Sequence, residues 1–215
     1  MAISNFSDRI NYMKTEKNNL RVRLRSALRE QNQDKHYCNF QSQKALINLH
    51  NFELYKKASC VLAFVSYGTE IKTLQLLETI QTENKAVYIP RTDENQMDFY
   101  LLNKDLPYCD QLEEGEFGIS VPKASSKKFN TEEIPENTLV IVPGLAFDRF
   151  GHRLGRGKGF YDKFLETLLK SKTSKNLLGF VGYCYDFQII EKVVFENNDI
   201  SMDYVISDCQ TIKIK

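Results

Sequence analysis

The 215-residue sequence contains no tryptophan, only five prolines, and no apolar run long enough to cross a bilayer. Lysine and arginine number 29 against 28 aspartates and glutamates, so the net charge of +1 gives no overall attraction to nucleic acid or membranes. The polar N-terminus, residues 1–15, lacks the apolar core of a signal peptide. These absences predict a cytoplasmic protein with no nucleic-acid or membrane partner.

The sequence also lacks any Cys or His pattern typical of a metal site. Its five cysteines are widely spaced and form no CxxC or Cys/His pair, which fits a reducing cytosol. His36, His50 and His152 share no spacing that indicates a metal site or a Ser/His/Asp arrangement. We interpret the three histidines as structural residues.

Apolar residues make up 42% of the chain, enough for a substantial core, and their periodicity alternates between helical and strand-like segments. Predicted helices cover residues 14–31, 38–56, 71–83, 160–171 and 187–193. Predicted strands cover residues 60–65, 86–89, 97–102, 139–142, 177–182, 204–207 and 211–214, with Pro90 ending the second of them. Alternating strands and helices predict an α/β fold with a mostly parallel sheet. No linker interrupts the chain, so we expect a single domain over residues 1–215, with residues 1–13 a candidate flexible segment.

Half of the ten glycines lie in one loop, residues 144–159, between a predicted strand and a predicted helix. Cations alternate with glycines in its last part, Gly155-Arg156-Gly157-Lys158-Gly159. Glycine lets the backbone approach a ligand closely, and helix-start amides with cations neutralise phosphate. The order is not that of a Walker A motif, and three alternating glycines are a weak dinucleotide signal. The loop therefore predicts a polyanion site of another kind.

Several charged residues outside this loop are compatible with either a structural or a functional role. Asp162 suits a magnesium ion bridging phosphates, or equally a helix N-terminus. Lys17, Arg21, Arg25 and Arg29 recur every four residues on one helix face, either as a solvated face or with an anion partner for the first one or two. Polar loops at residues 66–70, 91–93 and 143–162 follow predicted strands, so we expect them at one edge of the sheet.

The segment from Pro143 to Asp162 resembles the signature of 5-formyltetrahydrofolate cyclo-ligases, P-G-x-x-F-D-x-x-G-x-R-L-G-x-G-x-G-Y-Y-D. Weaker features occur in the family's order from Lys17 onward. They are Lys17-Asn18-Asn19-Leu20-Arg21, Val65 to Glu70, Ile89-Pro90-Arg91 and Asn198-Asp199. The sequence departs from the family at Phe160, where Tyr is usual, and at Val121, where many members carry Glu before the proline. The second departure puts a carboxylate role at that position in doubt.

The resemblance implies a three-layer α/β/α fold and an enzyme that converts 5-formyltetrahydrofolate to 5,10-methenyltetrahydrofolate. It implies ATP as co-substrate, Mg²⁺ as cofactor, and release of ADP and phosphate. In the implied mechanism the formyl oxygen is phosphorylated and N10 then closes the ring. We expect a monomer, although no pattern fixes the oligomeric state.

The resemblance also implies roles for individual residues. Those implied to bind ATP are Lys17, Arg21, Arg153, Leu154, Gly155, Arg156, Gly157, Lys158, Gly159, Phe160 and Tyr161. Those implied to bind the folate are Val65, Glu70, Arg156, Gly157, Lys158, Gly159 and Phe160. Arg156, Lys158 and Tyr161 are implied to be catalytic, Glu70 to accept a hydrogen bond from the pterin, and Asp162 and Asp199 to hold the metal. Whether Asp199 or Asp203 contacts it stays open.

Three other functions are compatible with the fold class. A non-catalytic sensor of nucleotide or folate is disfavoured by the combination of Arg156, Lys158 and Asp162, because a sensor needs no magnesium carboxylate. An RNA-binding protein, suggested by the cationic stripe, is disfavoured by the net charge of +1 and the lack of an aromatic RNP motif. A sugar-phosphate isomerase is not excluded by fold, but the number of cations favours ATP.

Overall fold

The computed structural model describes residues 6–93, 96–115 and 118–214. The helices are α1 Phe6–Gln31, α2 Lys35–Asn51, α3 Glu53–Lys57, α4 Leu74–Thr82 and α5 Phe160–Lys170. The strands are β1 Cys60–Leu62, β2 Ala86–Thr92, β3 Met97–Leu101, β4 Leu112–Glu114, β5 Ser120–Pro122, β6 Thr138–Val142, β7 Ala146–Phe147, β8 Arg153–Leu154, β9 Leu177–Tyr183, β10 Tyr204–Ile206 and β11 Thr211–Lys213. No helix among these residues is long and apolar enough to cross a membrane.

Seven strands form one sheet in the order β11-β10-β9-β6-β1-β2-β3. The five central strands, β10 to β2 in that order, pair in parallel. The edge strands β3 and β11 pair antiparallel with their neighbours. The hairpins β4–β5 and β7–β8 lie outside this sheet. The predicted mostly parallel sheet is confirmed.

Helices cover both faces of the sheet. Val61 belongs to one buried cluster together with Leu77 of α4 and residues of α2 and α3. The next residue, Leu62, belongs to a second cluster together with Leu168 of α5. Successive strand residues point to opposite faces, and both faces here are dry, which explains the continuous apolar runs of the central strands. The three-layer α/β/α architecture is confirmed.

Two helix predictions differ from the structure at their ends. Helix α1 begins at Phe6, so residues 6–13 of the candidate flexible segment are helical, while residues 1–5 lie outside the described residues. The predicted helix 38–56 is interrupted at Phe52, whose backbone is extended (φ −76°, ψ 125°). The apolar periodicity continues across that break, which is why the sequence predicted one helix.

Two further predictions were wrong for identifiable reasons. Strand β2 continues through Pro90 to Thr92. Its pairing with β1 ends at Tyr88, so the missing N–H of Pro90 interrupts no hydrogen bonds between those two strands. The predicted helix 187–193 is a single 3-10 turn, Asp186–Gln188. Beyond it, the Ile190 amide donates to Phe147 O (2.8 Å), and tertiary hydrogen bonds of this kind replace the helical ones.

We expect Gly151→Ala to destabilise the fold. Gly151 has φ +84°, and an added Cβ would lie 2.5 Å from the Met202 carbonyl oxygen. Backbone strain and the clash together should lower the free energy of unfolding by about 2–4 kcal/mol. Gly68→Ala is the matched control, since Gly68 has φ +62° with open space around it. That variant should lose only the stability that backbone strain costs. Urea unfolding of both variants measures the difference, and equal losses would contradict the packing role of Gly151.

Candidate active site

A cavity of about 780 Å³ lies at the carboxyl edge of the central strands. Its walls come from Val65, which follows β1, from the end of β2 at Thr92, and from Pro143, which follows β6. Helix α1 crosses the same edge and contributes Lys17 and Arg21 to the wall. The cavity is the size of a small-molecule site. The polar loops therefore meet at one edge of the sheet, as we expected because each of them follows a strand.

The structure brings every predicted site residue to this cavity. They are Lys17, Arg21, Val65, Glu70, Arg153, Leu154, Gly155, Arg156, Gly157, Lys158, Gly159, Phe160, Tyr161, Asp162 and Asp199. Their individual roles toward ATP, folate and metal stay predictions, because proximity shows a shared site and not what each side chain binds.

The glycine loop, residues 155–159, is held in place by two arginines of α1. Arg21 Nε donates to Gly155 O (3.0 Å), and Arg25 Nη2 donates to Arg156 O (3.2 Å). Burial and the neighbouring Arg25 lower the pKa of Arg21. Two residues of the cationic stripe therefore contact the loop. Arg25 was named in the sequence only as part of that stripe and not as a site residue.

Arg156 and Glu70 both line the cavity and contact each other. The Arg156 Nε and Nη2 atoms each lie 2.9 Å from Glu70 Oε1, and Nη2 also donates to Tyr67 O (3.1 Å). The Tyr67 amide donates to the other oxygen, Glu70 Oε2 (2.9 Å). Burial raises the pKa of Glu70, and the Arg156 charge opposes that rise. The residues predicted to bind folate and phosphate thus contact each other.

Lys17 lies between two carboxylates and is only 7% exposed. Its Nζ atom is 2.6 Å from Asp199 Oδ2 and 2.9 Å from Glu196 Oε1. The Glu196 amide also donates to Asp199 Oδ2 (2.8 Å), so both acids belong to one turn. Glu196 was not predicted, although its place three residues before Asp199 was the available signal.

Asp162, at the start of α5, pairs with the buried Arg153. Arg153 Nη2 lies 2.9 Å from Asp162 Oδ1, and the Ile200 amide donates to the same oxygen (3.4 Å). The guanidinium carbon of Arg153 lies 5.6 Å from the centre of the Tyr161 ring. This pair fixes α5 against β8 and places a carboxylate on the cavity wall.

Asp162, Asp199 and Glu196 all line the cavity, whereas Asp203 does not. Asp203 Oδ2 instead accepts from the Phe180 amide of β9 (2.8 Å), so the position left open in the sequence has a structural role. Within the described ranges no group of three or more His, Cys, Asp or Glu forms a complete metal cage. Magnesium commonly takes one or two carboxylates and completes its shell with phosphate and water oxygens. Asp162 and Asp199 offer two such carboxylates on the cavity wall, and their binding of a metal stays a prediction.

Aromatic and apolar side chains also line the cavity. The Tyr161 hydroxyl is buried and has no hydrogen-bond partner within the described part of the chain, and burial together with Glu70 raises its pKa. Lys158 Nζ lies 5.5 Å from the Phe160 ring centre. Ile119 and Val121 reach the cavity from the β4–β5 region and were not predicted, since no local signal places a distant hairpin there.

The hairpin shows what surrounds Val121, one of the two departures from the family. Val121 pairs in register with Glu113 on the adjacent strand. Glu113 forms an ion pair with Arg91, and Arg91 Nη1 also donates to Pro122 O (2.8 Å). A carboxylate is therefore present beside Arg91, supplied by the neighbouring strand, while Val121 adds apolar surface to the cavity.

A family model and several known proteins match this chain over most of its length. The model of the 5-formyltetrahydrofolate cyclo-ligase family matches residues 13–208. The 5-formyltetrahydrofolate cyclo-ligase of Escherichia coli (strain K12) is 28% identical over 191 residues, which cover 87% of this chain and 96% of that protein. The probable 5-formyltetrahydrofolate cyclo-ligase of Schizosaccharomyces pombe is 27% identical over 208 residues, covering 94% and 99%.

A solved structure agrees with these matches. The NMR structure of Aquifex aeolicus 5,10-methenyltetrahydrofolate synthetase superposes with a TM-score of 0.72 at 27% identity, covering 91% of this chain and 93% of that one. The matched region includes the α1 cations, the glycine loop and the segment bearing Asp199. The resemblance inferred from the segment Pro143 to Asp162 is thereby confirmed, and the chain belongs to the 5-formyltetrahydrofolate cyclo-ligase family.

Proposed function

We propose that the protein converts 5-formyltetrahydrofolate to 5,10-methenyltetrahydrofolate at the expense of ATP, with Mg²⁺ bound to the nucleotide. The observation that carries this proposal is that the cationic glycine loop and Glu70 line the same cavity, where Arg156 of the loop contacts the Glu70 carboxylate. A cavity lined by both a cationic loop and a carboxylate suits two substrates that must react with each other. The family relationship supports the same chemistry.

Different residues of the cavity suit the two substrates. The triphosphate would lie against Arg156, Lys158 and the amides of the glycine loop, with Lys17 and Arg21 approaching from α1. Because the protein already holds these cations in place, little conformational entropy is lost when the phosphates bind. The pterin would lie beside Val65, with Glu70 accepting its hydrogen bonds and Phe160 and Tyr161 packing on its rings.

Asp162 and Asp199 are the residues that would hold Mg²⁺. When bound, the ion would neutralise phosphate charge and orient the γ-phosphoryl group. Both carboxylates contact a protein cation in the structure, Arg153 and Lys17 respectively. Those contacts keep the two acids on the cavity wall.

The reaction requires positioning more than acid–base chemistry. The formyl oxygen attacks the γ-phosphorus and ADP leaves, which turns a poor leaving group into a phosphate ester of an iminium. N10 then attacks the formyl carbon and loses its proton, and phosphate leaves with the former formyl oxygen. Arg156 and Lys158 would stabilise the transferred phosphoryl group. Tyr161, with its buried hydroxyl, would face the reacting centre.

The monomeric state and the cytoplasmic location stay predictions.

The direct test mixes the protein with 5-formyltetrahydrofolate, ATP and magnesium and follows the near-ultraviolet absorbance of the methenyl product. We expect product and ADP in equal amounts, and no product when ATP or magnesium is omitted. A folded protein that makes no product would contradict the proposal. Product without ATP consumption would contradict the phosphorylation step.

Lys158→Ala should lower kcat/KM for ATP by roughly 100-fold, since it removes a cation from a developing phosphoryl charge. The melting temperature should stay the same, because Lys158 is exposed. Lys163→Ala, on the exposed side of α5 five residues later, is the matched control and should keep activity within about twofold. Equal losses in the two variants, or unfolding of Lys158→Ala, would mean that the loop lysine has no specific role toward ATP.

A further inference from the structure

The short turn between β7 and β8, residues 148–152, contacts a segment that the proposed reaction depends on. That segment, residues 193–199, carries Glu196 and Asp199 to the cavity; we call it the acidic segment. It has no regular secondary structure of its own. Its two carboxylates share the single ammonium of Lys17, and like charges held together repel each other. The acidic segment therefore needs support from outside the cavity.

Asp148 supplies the first part of that support. Its carboxylate is fully buried and accepts hydrogen bonds from the amides of Phe150 (2.9 Å) and His152 (3.0 Å) within the turn. Its Oδ2 atom also accepts from the Val193 amide (3.0 Å), the first residue of the acidic segment. One buried carboxylate thus ties the turn to the acidic segment through backbone atoms.

His152 supplies the second part. Its Nδ1 atom lies 2.9 Å from Asp148 Oδ2, which fixes the orientation of the ring. The ring stacks on Phe195, with centroids 4.2 Å apart and an interplanar angle of 28°. Phe195 directly precedes Glu196. Beyond the acidic segment, Gly151 O accepts from the Met202 amide (2.8 Å), so the turn is hydrogen-bonded to the chain both at Val193 and after Asp199.

We propose that Asp148, His152 and Phe195 form a brace that positions Glu196 and Asp199 for Mg-ATP, so that the strength of Mg-ATP binding depends on a stack outside the cavity. The brace residues act through the acidic segment and touch no substrate. The inference rests on the proposed function only in naming Mg-ATP as the ligand. Residues that orient metal-binding carboxylates commonly change affinity when they are replaced.

The test compares His152→Ala and Phe195→Ala with Phe150→Ala, which removes an exposed ring of the same turn whose centroid lies 6.1 Å from that of His152 and which does not stack on Phe195. Hydrogen–deuterium exchange reports the acidic segment directly, through the amides of Val193, Glu196 and Asp199. Calorimetry with Mg-ATP reports affinity, and steady-state kinetics report KM for the folate. His152→Phe, which keeps a ring on Phe195, serves as the conservative variant.

We expect both brace variants to weaken Mg-ATP binding by about tenfold, as outer-shell substitutions do, and to speed exchange at the three amides. The KM for folate should stay within about twofold, Phe150→Ala should match the parent, and His152→Phe should recover part of the loss. Unchanged exchange and affinity in folded His152→Ala and Phe195→Ala would overturn the brace. A parent protein that binds no Mg-ATP would instead contradict the proposed function, and the exchange measurement would still decide whether the brace holds the acidic segment.

Discussion

The contact between the Arg156 guanidinium and the Glu70 carboxylate is the interaction on which the arrangement of the cavity depends. It joins the glycine loop to the loop after β1, and we assign Arg156 to the triphosphate and Glu70 to the pterin. A ligand that competes for either partner should weaken the pair. The second ligand then meets a residue that is already released, so binding of the two should be mutually favourable.

The same design recurs around the cavity. Lys17 is matched by Glu196 and Asp199, and Arg153 by Asp162. Charges gathered in a partly buried site would destabilise the fold if left uncompensated. Mutual pairing lets the protein keep many charges at one edge of the sheet. Arg21 and Arg25 of α1 donate to carbonyl oxygens of the glycine loop and so hold its backbone in place.

The parts of the site that could be predicted are those that a short stretch of sequence encodes. The segment from Pro143 to Asp162 is contiguous, so its spacing alone identified the loop, and the four-residue spacing of Lys17 and Arg21 identified the helix face. Ile119 was missed because the β4–β5 hairpin reaches the cavity through tertiary structure that no short-range pattern marks. Glu196 was overlooked although it lies three residues before Asp199, and Val121 was noted only as a departure from the family. The helix predicted over 187–193 was wrong because Asp148 and the Phe147 carbonyl take the amides that a helix would use.

The most direct test of this account is calorimetric titration of a non-hydrolysable ATP analogue with magnesium, with and without saturating 5-formyltetrahydrofolate. Release of Arg156 by the folate should tighten nucleotide binding by about tenfold, within the usual range of coupling between sites. Arg156→Ala should bind more weakly and lose that dependence on folate. The same nucleotide affinity with and without folate in the parent protein would contradict the idea that one ion pair serves both halves of the site.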